Sequence, residues 1–334
     1  MLLHQTSQKK SISAKTILKS NFTMSHLLLY RISGHVKNSF HSSIGISCYY
    51  NQSHSHVKSK IVPHERTDEY HVKEIERTMT YEAINSPCYL VTQSKLFPFN
   101  RLSAWFDQYP PTYSVSINGL THAFIKINNT AYTRQLMSCL NSIEHFMIAD
   151  GHHRFAAQKQ LFHNQGVSQP LPVFITHTTQ ALVKSFDLVA SMNQQFCWFA
   201  FLLHLKQSGL ISCTQIHEDY QILFNGLHAS FRIKNNENGK QFSDSCLQYT
   251  HILNALKTYD GFDGIASEDL IENNAQHHNI NSTNQLRIKI KPPSVSAMYN
   301  TALTGSLLPK KSTCFLFKPV EHVTPFLAAP KNDF

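Results

Sequence analysis

The chain has 334 residues, 42% of them hydrophobic, and a formal net charge of +9 at neutral pH. A chain of this length and apolar content is neither disordered nor fibrous, and it is long enough for about two domains. Its longest apolar run, CWFAFLLHL at residues 197–205, is far shorter than the ~20 residues that cross a bilayer. We therefore expect a buried helix there and no membrane partner.

The positive charge is concentrated at the start of the chain. Residues 1–60 contain eight Lys or Arg and no acidic residue, whereas the remainder contains 22 basic and 21 acidic residues. The early charges are interleaved with Ser, His and Asn and show no stacking aromatic pattern. The sequence thus favours a solvated basic leader, disordered over residues 1–25, and does not favour a nucleic-acid partner.

Apolar runs bounded by turn residues predict strands in the first half of the chain. These runs lie at residues 26–32, 42–49, 88–92, 112–128, 144–149 and 171–178. The dipeptide Asn118-Gly119 predicts a hairpin turn within the fourth run. Together the runs predict a mixed α/β domain over residues 26–190.

The second half of the chain has a different character. Its pattern predicts a helix at residues 195–208, a hairpin at 220–233 around Asn225-Gly226, and a second helix at 247–258. The Asn-rich stretch at 272–284 predicts a loop. We place a boundary near residue 190, with a smaller α+β domain over residues 191–334.

The cysteines argue against a metal or disulfide framework. They are widely spaced and form no Cys-x-x-Cys pair, which predicts neither zinc nor haem as a cofactor and favours a reducing cytoplasm. The cysteines are Cys48, Cys88, Cys139, Cys197, Cys213, Cys246 and Cys314.

The stretch FMIADGHHRFAAQKQLF at residues 146–162 predicts a strand, a tight turn and a helix. Asp150 is expected to cap the helix, whose first-turn amides have no partner inside it. Gly151 lets a ligand approach the backbone, the helix dipole favours negative charge, and Arg154 offers a planar set of donors. The segment therefore predicts a phosphate site.

The adjacent His152 and His153 do not predict a zinc site. Consecutive helix residues point about 100° apart, whereas the zinc ligands of a helix lie one turn apart. The sequence therefore does not favour a zinc site here.

The segment IADGHHRFAA resembles the signature of a conserved, uncharacterised microbial family, the domain-of-unknown-function ten-fifteen family. Other blocks of the chain resemble blocks of that family in the same order, so the likeness spans about residues 27–319. These blocks are LLLYR at 27–31, IVPHERT at 61–67, VKEIERT at 72–78, PCYLV at 87–91 and LPKKSTCFLFKP at 308–319.

The pattern Gly151-x-x-Arg154-x-x-Ala157 is also similar to the phosphate motif of the ParB and sulfiredoxin superfamily. Members of that superfamily bind CTP, ATP or ADP at a helix start. The resemblance implies a ParB/sulfiredoxin-like fold for residues 26–190 and a nucleoside di- or triphosphate as ligand.

Some members of the superfamily are kinases of free serine, which implies phosphoryl transfer to a small-molecule hydroxyl. Such chemistry needs positioning, charge neutralisation and a base. Asp150 is the candidate ligand for Mg²⁺, or the group that orients a catalytic His152. His153 and Arg154, with the amide of Gly151, would hold the phosphates.

Glu65, in the HERT block, is the candidate catalytic base. The alternative for Glu65 is a surface carboxylate paired with Arg66 or Arg77. In PKKST, the resemblance implies anion contact by Lys311, whereas Lys310 is interpreted as part of a solvated turn.

Three departures from the family pattern leave a second function open. A Pro-Tyr-Asp segment typical of the family is absent from this sequence, the second half is shorter, and SFDLV at 185–189 replaces a His-Arg element. The alternative is therefore a degenerate, noncatalytic nucleotide-binding or DNA-associated regulatory protein.

Overall fold

A mixed eight-stranded sheet organises the first half of the chain. The computed structural model describes residues 22–36, 38–51, 61–184, 187–213, 220–224, 227–233, 245–267, 285–290, 293–308 and 313–320. The strands of the sheet are β1 (Phe22–Val36), β2 (Ser39–Tyr50), β3 (Ile61–Val62), β4 (Cys88–Thr92), β5 (Tyr113–Ile117), β6 (Leu120–Lys126), β7 (Phe146–Asp150) and β8 (Leu171–His177).

The strand order in this sheet is β3-β7-β4-β8-β2-β1-β6-β5. β3 pairs parallel with β7 and β4 pairs parallel with β8, whereas the other neighbours are antiparallel. The central strands β4 and β8 are buried along nearly their whole length, as their continuous apolar sequences require when both faces of a sheet are covered. The predicted mixed α/β class is confirmed.

Four helices cover the first face of this sheet: α1 (Glu69–Tyr81), α2 (Phe99–Gln108), α3 (Thr130–Ser142) and α4 (His152–Gln165). Their apolar residues pack on the sheet in one cluster. Val72, Leu102, Leu136 and Leu161 are among the helix residues buried in this cluster, and α4 also buries the polar side chains of His152 and Gln158.

A six-stranded sheet forms a second unit. After the short strand β9 (Val183–Lys184), its strands are β10 (Asp187–Met192), β11 (Leu210–Cys213), β12 (Tyr220–Phe224), β13 (Leu227–Ile233), β14 (Phe262–Ser267) and β15 (Gln285–Ile290), in the order β11-β13-β12-β15-β10-β14. Helices α5 (Trp198–Gln207) and α6 (Ser245–Lys257) pack with it around a separate apolar core.

The chain then returns to the second face of the first sheet. Helix α7 (Val295–Leu303) and strand β16 (Cys314–Phe315), which pairs with β9, cover that face. Met298, Phe315 and Phe317 are fully buried there against residues of β1, β4 and β8. Both faces of the first sheet are thus covered, one by helices close in sequence and one by the distant C-terminal part.

The predicted local elements agree with this architecture. All six predicted strands of the first half are present, and Asn118 and Gly119 turn the β5–β6 hairpin with φ angles of 51° and 75°. The second predicted hairpin is present as β12 and β13, although its turn at residues 225–226 lies outside the described residues. The same is true of residues 1–21 of the predicted leader and of the loop at 272–284, whereas residues 22–25, which were predicted to belong to the leader, lie in β1.

The prediction of a buried helix at the longest apolar run, residues 197–205, is wrong. α5 buries Phe201 and Leu205, but Phe199 on its other side is 80% exposed. The segment is therefore a one-sided surface helix, because only one stripe of a helix can face the small sheet beneath it. Among the described residues, no helix is long and apolar enough to span a membrane. The predicted boundary near residue 190 falls within β10, the first strand of the second sheet, and the division into domains stays a prediction.

Candidate functional site

The turn from β7 to α4 is the centre of the site. The four residues before Asp150 are buried, and Gly151 then adopts a left-handed conformation with φ of 96°. The first helical hydrogen bond runs from the Phe155 N–H to the Gly151 carbonyl, at 3.1 Å. A Cβ at Gly151 would lie 2.6 Å from Cys88 Sγ. Glycine is required here both by its φ angle and by the thiol beneath it.

Asp150 does not cap α4, contrary to our prediction. Gly151 is the N-cap residue and provides no side-chain bond, while Asp150 is the last residue of β7. Its Oδ2 accepts from Arg154 Nη2 at 3.1 Å, and its Oδ1 lies 3.0 Å from Lys318 Nζ. The strand geometry points the carboxylate sideways to these two cations, so the first-turn amides of α4 lack a side-chain cap.

Arg154 ties the site to the chain before β4. Its Nη1 donates to the carbonyls of Ser86, at 2.5 Å, and Pro87, at 2.9 Å. Together with the bond to Asp150, three of the five guanidinium N–H groups are used within the protein. The side chain is 16% exposed. Arg154 is thus both a structural tie and a wall of the site.

His153 joins the starts of two helices. Its Nε2 accepts from the backbone N–H of Asp68 at 3.0 Å, and its ring lies edge-on to that of His71 with centroids 4.9 Å apart. Asp68 is the N-cap of α1 and accepts from the amides of Tyr70 and His71. The positive ends of the α1 and α4 dipoles therefore lie side by side, an arrangement that favours an anion.

Two buried histidines lie on the other side of the α4 start. His64 Nδ1 donates to the Ile148 carbonyl at 2.5 Å, and the same nitrogen lies 3.1 Å from His152 Nε2. Burial lowers the pKa of His64 to about 4 and lowers the pKa of His152 well below its usual value. Both rings are therefore neutral at pH 7.

Glu65 belongs to this histidine cluster. Its side chain is 12% exposed, and its Oε2 lies 3.9 Å from His64 Nε2. The Thr313 hydroxyl lies between them, 2.8 Å from His64 Nε2 and 3.2 Å from Glu65 Oε2. The carboxylate is thus largely buried, unlike the surface group of the alternative interpretation. Lys311, two residues before Thr313, lies outside the described residues.

A cleft of about 390 Å³ opens in front of Gly151, within the size range of small-molecule sites. One part of its lining is apolar and the other is polar. The apolar part consists of Ile75, Ala83 and Ile84, and the polar part includes Asn85, Ser86, Asp150, His153 and Arg154. Glu65 and His152 are not among the lining residues, so the predicted site residues fall into two groups that meet at the start of α4.

The sequence pattern missed Lys318 and Thr313 as site residues. Burial disfavours charge on Lys318, but the adjacent Asp150 carboxylate outweighs it, so that its pKa is raised and the ammonium is kept. Both residues come from the segment that covers the second face of the sheet. The one signal that could have found them is their position in the LPKKSTCFLFKP block, next to the lysines that we did consider.

The described residues do not fit the predicted Mg²⁺ site. Magnesium needs free carboxylate oxygens, whereas both oxygens of Asp150 already contact cations. Among the described residues, no three His, Cys, Asp or Glu side chains come together in a group that could hold a metal ion.

Residues 12–176 match a family described as "Protein of unknown function (DUF1015)". This match supports the resemblance to an uncharacterised family, whereas the ParB-like motif stays a prediction. No curated protein matches the chain.

Three solved structures are similar to this chain at low identity. SbnI with C-terminal truncation from Staphylococcus aureus shares 11% identity, covers 82% of this chain and 87% of its own, and gives a TM-score of 0.47. A conserved hypothetical protein from Pyrococcus furiosus shares 14% identity over 81% and 93%, with a TM-score of 0.41. A free serine kinase mutant in complex with AMP shares 15% identity over 81% and 89%, with a TM-score of 0.43. What this chain binds must be inferred from its own side chains.

Proposed function

We propose that the protein binds a nucleotide in the cleft in front of Gly151. The observation that carries this proposal is the left-handed Gly151, which opens α4 into a cleft without a side-chain cap. A helix start of this kind presents backbone N–H groups and the positive end of the dipole to an anion. A phosphate group in the cleft takes the place of the missing cap.

The two helix starts and Arg154 are the groups that favour a phosphate. The positive ends of the α1 and α4 dipoles lie side by side and Arg154 lines the cleft beside them, whereas Asp150 and Glu82 supply negative charge to the same lining. Arg154 still has its Nε–H and one Nη2–H for phosphate oxygens. Because Asp150 holds the guanidinium at its other edge, the donors are already oriented before the ligand binds.

The apolar part of the cleft fits the base of a nucleotide. Ile75 on α1 and Ala83 and Ile84 in the following loop lie beside the polar part in one cavity. A ligand with a flat apolar body and an anionic end matches this division. A free phosphate ion uses only the polar part, so we expect nucleotides to bind more tightly than phosphate.

Phosphoryl transfer to a small-molecule hydroxyl is the proposed chemistry, with Glu65 as the base. The Thr313 hydroxyl has one hydrogen but faces two acceptors, His64 Nε2 and Glu65 Oε2. When Glu65 takes a proton from a substrate hydroxyl, its carboxyl group donates to Thr313 and the Thr313 hydrogen turns to His64. Once Glu65 is protonated, the hydrogens of the Glu65 carboxyl group and of the Thr313 hydroxyl each have an acceptor. The bound nucleotide supplies the phosphoryl group.

A noncatalytic nucleotide-binding protein is the second candidate. It is favoured by one observation, that Glu65 is not among the residues lining the cleft. The two candidates share the binding site and differ only in turnover.

Calorimetric titration with ATP, ADP and CTP tests the binding site. In the variant Ala83→Trp, an indole on an exposed loop residue fills the apolar part of the cleft, and nucleotide affinity should fall at least about tenfold. The matched control is Ala104→Trp, at an exposed position of α2 outside the cleft, which should bind like the parent protein. Equal affinity of both variants would remove the cleft as the site.

Glu65→Gln separates binding from chemistry. The amide keeps the shape of the carboxyl group but cannot take the proton, so nucleotide binding should persist while transfer from ATP to a panel of hydroxyl acceptors falls by about 100-fold or more. Transfer that is unchanged in Glu65→Gln would assign the base elsewhere. Binding without transfer in the parent protein would favour the noncatalytic candidate.

A further inference from the structure

A second pocket lies on the other face of the first sheet. It has a volume of about 530 Å³ and is enclosed by the end of β1, the β5–β6 hairpin and the segment around β16. It shares no lining residue with the cleft in front of Gly151. Whatever occupies it is therefore a different ligand from the proposed nucleotide.

The lining of this pocket is apolar with basic groups among it. Leu120, Phe317 and Val320 belong to the apolar part, and the basic groups are Lys184 and Lys318, of which Lys318 is paired with Asp150. None of the described residues that line the pocket is acidic. This charge distribution is complementary to an anionic ligand with an apolar body.

His122 provides a buried polar atom for such a ligand. The residue is 1% exposed, and its Nδ1 lies 2.7 Å from the Tyr30 hydroxyl. The Tyr30 oxygen accepts from the Val320 N–H at 3.3 Å, and we assign its single hydrogen to His122 Nδ1, the acceptor at 2.7 Å.

The tautomer of His122 follows from this contact. Burial lowers the pKa of His122 to about 4, so the ring is neutral at pH 7 and carries its one hydrogen on Nε2. Among the described residues, no group accepts from this N–H. Tyr30 occupies one edge of the ring, which leaves the Nε2 edge for the pocket that His122 lines. A ligand oxygen in the pocket would accept from this donor.

We propose that this pocket binds a small carboxylic acid with an apolar body. A carboxylate oxygen accepts from His122 Nε2, Lys184 adds a positive charge to the lining, and Leu120, Phe317 and Val320 pack against the body. A hydrogen bond from a buried donor to a charged oxygen is among the stronger polar contacts in proteins.

The first test compares three ligands of the full-length protein by calorimetry. Octanoate has both features of the proposed ligand, 1-octanol has the apolar body alone, and acetate has the charge alone. Octanoate should bind at least about tenfold more tightly than either control. No binding of octanoate, or equal binding of 1-octanol, would overturn the proposal.

The second test isolates the donor. His122→Phe removes both polar atoms of the ring, whereas Gln keeps an amide N–H that can lie near the position of Nε2. Octanoate should bind to the Gln variant at least about fivefold more tightly than to the Phe variant. Equal affinities would remove His122 from the site.

A filling variant keeps the proposal testable if both His122 variants fail to fold. Val36 lines the pocket at the end of β1 and is partly exposed, so Val36→Trp can fill the cavity from its rim. Octanoate binding should be lost while nucleotide binding, if present, is retained. Unchanged octanoate binding in a folded Val36→Trp protein would place the ligand elsewhere.

Discussion

At the scale of single residues, Gly151 shows how backbone conformation and packing act together. Gly166, at the other end of α4, also has a left-handed φ, of 70°, but a Cβ there would meet nothing within 4 Å. The two glycines therefore differ chiefly in the space around them. Comparing alanine substitutions at the two positions separates the free-energy cost of the left-handed φ angle from the cost of the close approach to Cys88.

Gly151→Ala should destabilise the protein more than Gly166→Ala. Both changes place a side chain in the left-handed region, at about 1–2 kcal/mol each, and Gly151→Ala adds overpacking against Cys88 Sγ of about 1–3 kcal/mol. Urea unfolding measures the change in the free energy of unfolding for both variants. Cys88→Ala in the Gly151→Ala background should recover the overpacking part. Equal losses for the two glycines would contradict the close approach.

His64 should make folding stability depend on pH. Its pKa is about 4 in the folded protein and near 6.5 when unfolded, so the unfolded chain binds an extra proton between these values. The contribution of the neutral His64 ring to the free energy of unfolding is fully present above about pH 6.5. It falls by about 1.4 kcal/mol per pH unit as the pH drops toward 4.

His64→Gln should reduce this slope. Urea unfolding at several pH values between about 7 and 4.5 measures it, and His163→Gln, at an exposed position of α4, is the matched control. A slope that is unchanged in His64→Gln would mean that the ring is not held neutral by burial.

At the scale of elements, α4 is fixed to the loop before β4 by one side chain. Arg154 donates to the carbonyls of Ser86 and Pro87 and pairs with Asp150. The loop that Arg154 holds also lines the cleft. The residue that the sequence predicts as a phosphate ligand is therefore also responsible for the shape of the site.

Arg154→Ala should lower the free energy of unfolding by about 3 kcal/mol, because it leaves two part-buried carbonyls without their charged donor and removes one of the two cations that pair with Asp150. Arg134→Ala, on an exposed face of α3, is the control and should cost about 0.5 kcal/mol or less. A binding defect in Arg154→Ala alone is thus not evidence for phosphate contact, which is why Ala83→Trp is the sharper test. Full stability of Arg154→Ala would contradict its structural role.

At the scale of the whole molecule, the C-terminal part completes the first sheet. Met298, Phe315 and Phe317 are buried on its second face, and Thr313 and Lys318 reach the site from the same segment. Fold and site thus depend on a segment that follows the second sheet in sequence. A site residue can therefore be separated from its partner by most of the chain.

Removal of residues 293–334 should abolish the folding of the first sheet. Each fully buried large side chain contributes about 1.5–3 kcal/mol, so the loss of three or more is comparable to the whole stability of a domain. Near-UV circular dichroism and soluble yield measure the effect, and co-expression of the separate 293–334 segment should restore both. Removal of residues 1–21 is the control. A folded truncated protein would show that the second face is not essential.

Local features of this protein were predictable because they depend on neighbours in sequence. The strands of the first half, the Asn118-Gly119 hairpin and the start of α4 all follow from apolar runs and from residues with special backbone preferences. The role of Asp150 was not predictable in this way. A carboxylate before a helix can cap it or point away, and the choice depends on Lys318 and on the strand that holds Asp150.

The sequence by itself determined the elements and the strand, tight turn and helix start of residues 146–162, because these arise from local backbone geometry. Only the tertiary structure decided which groups surround that segment. It buried His64 and His152, placed Thr313 beside Glu65, and paired Lys318 with Asp150. These contacts join residues far apart in the chain, and they are set by how the distant C-terminal segment packs on the sheet, which no local pattern encodes.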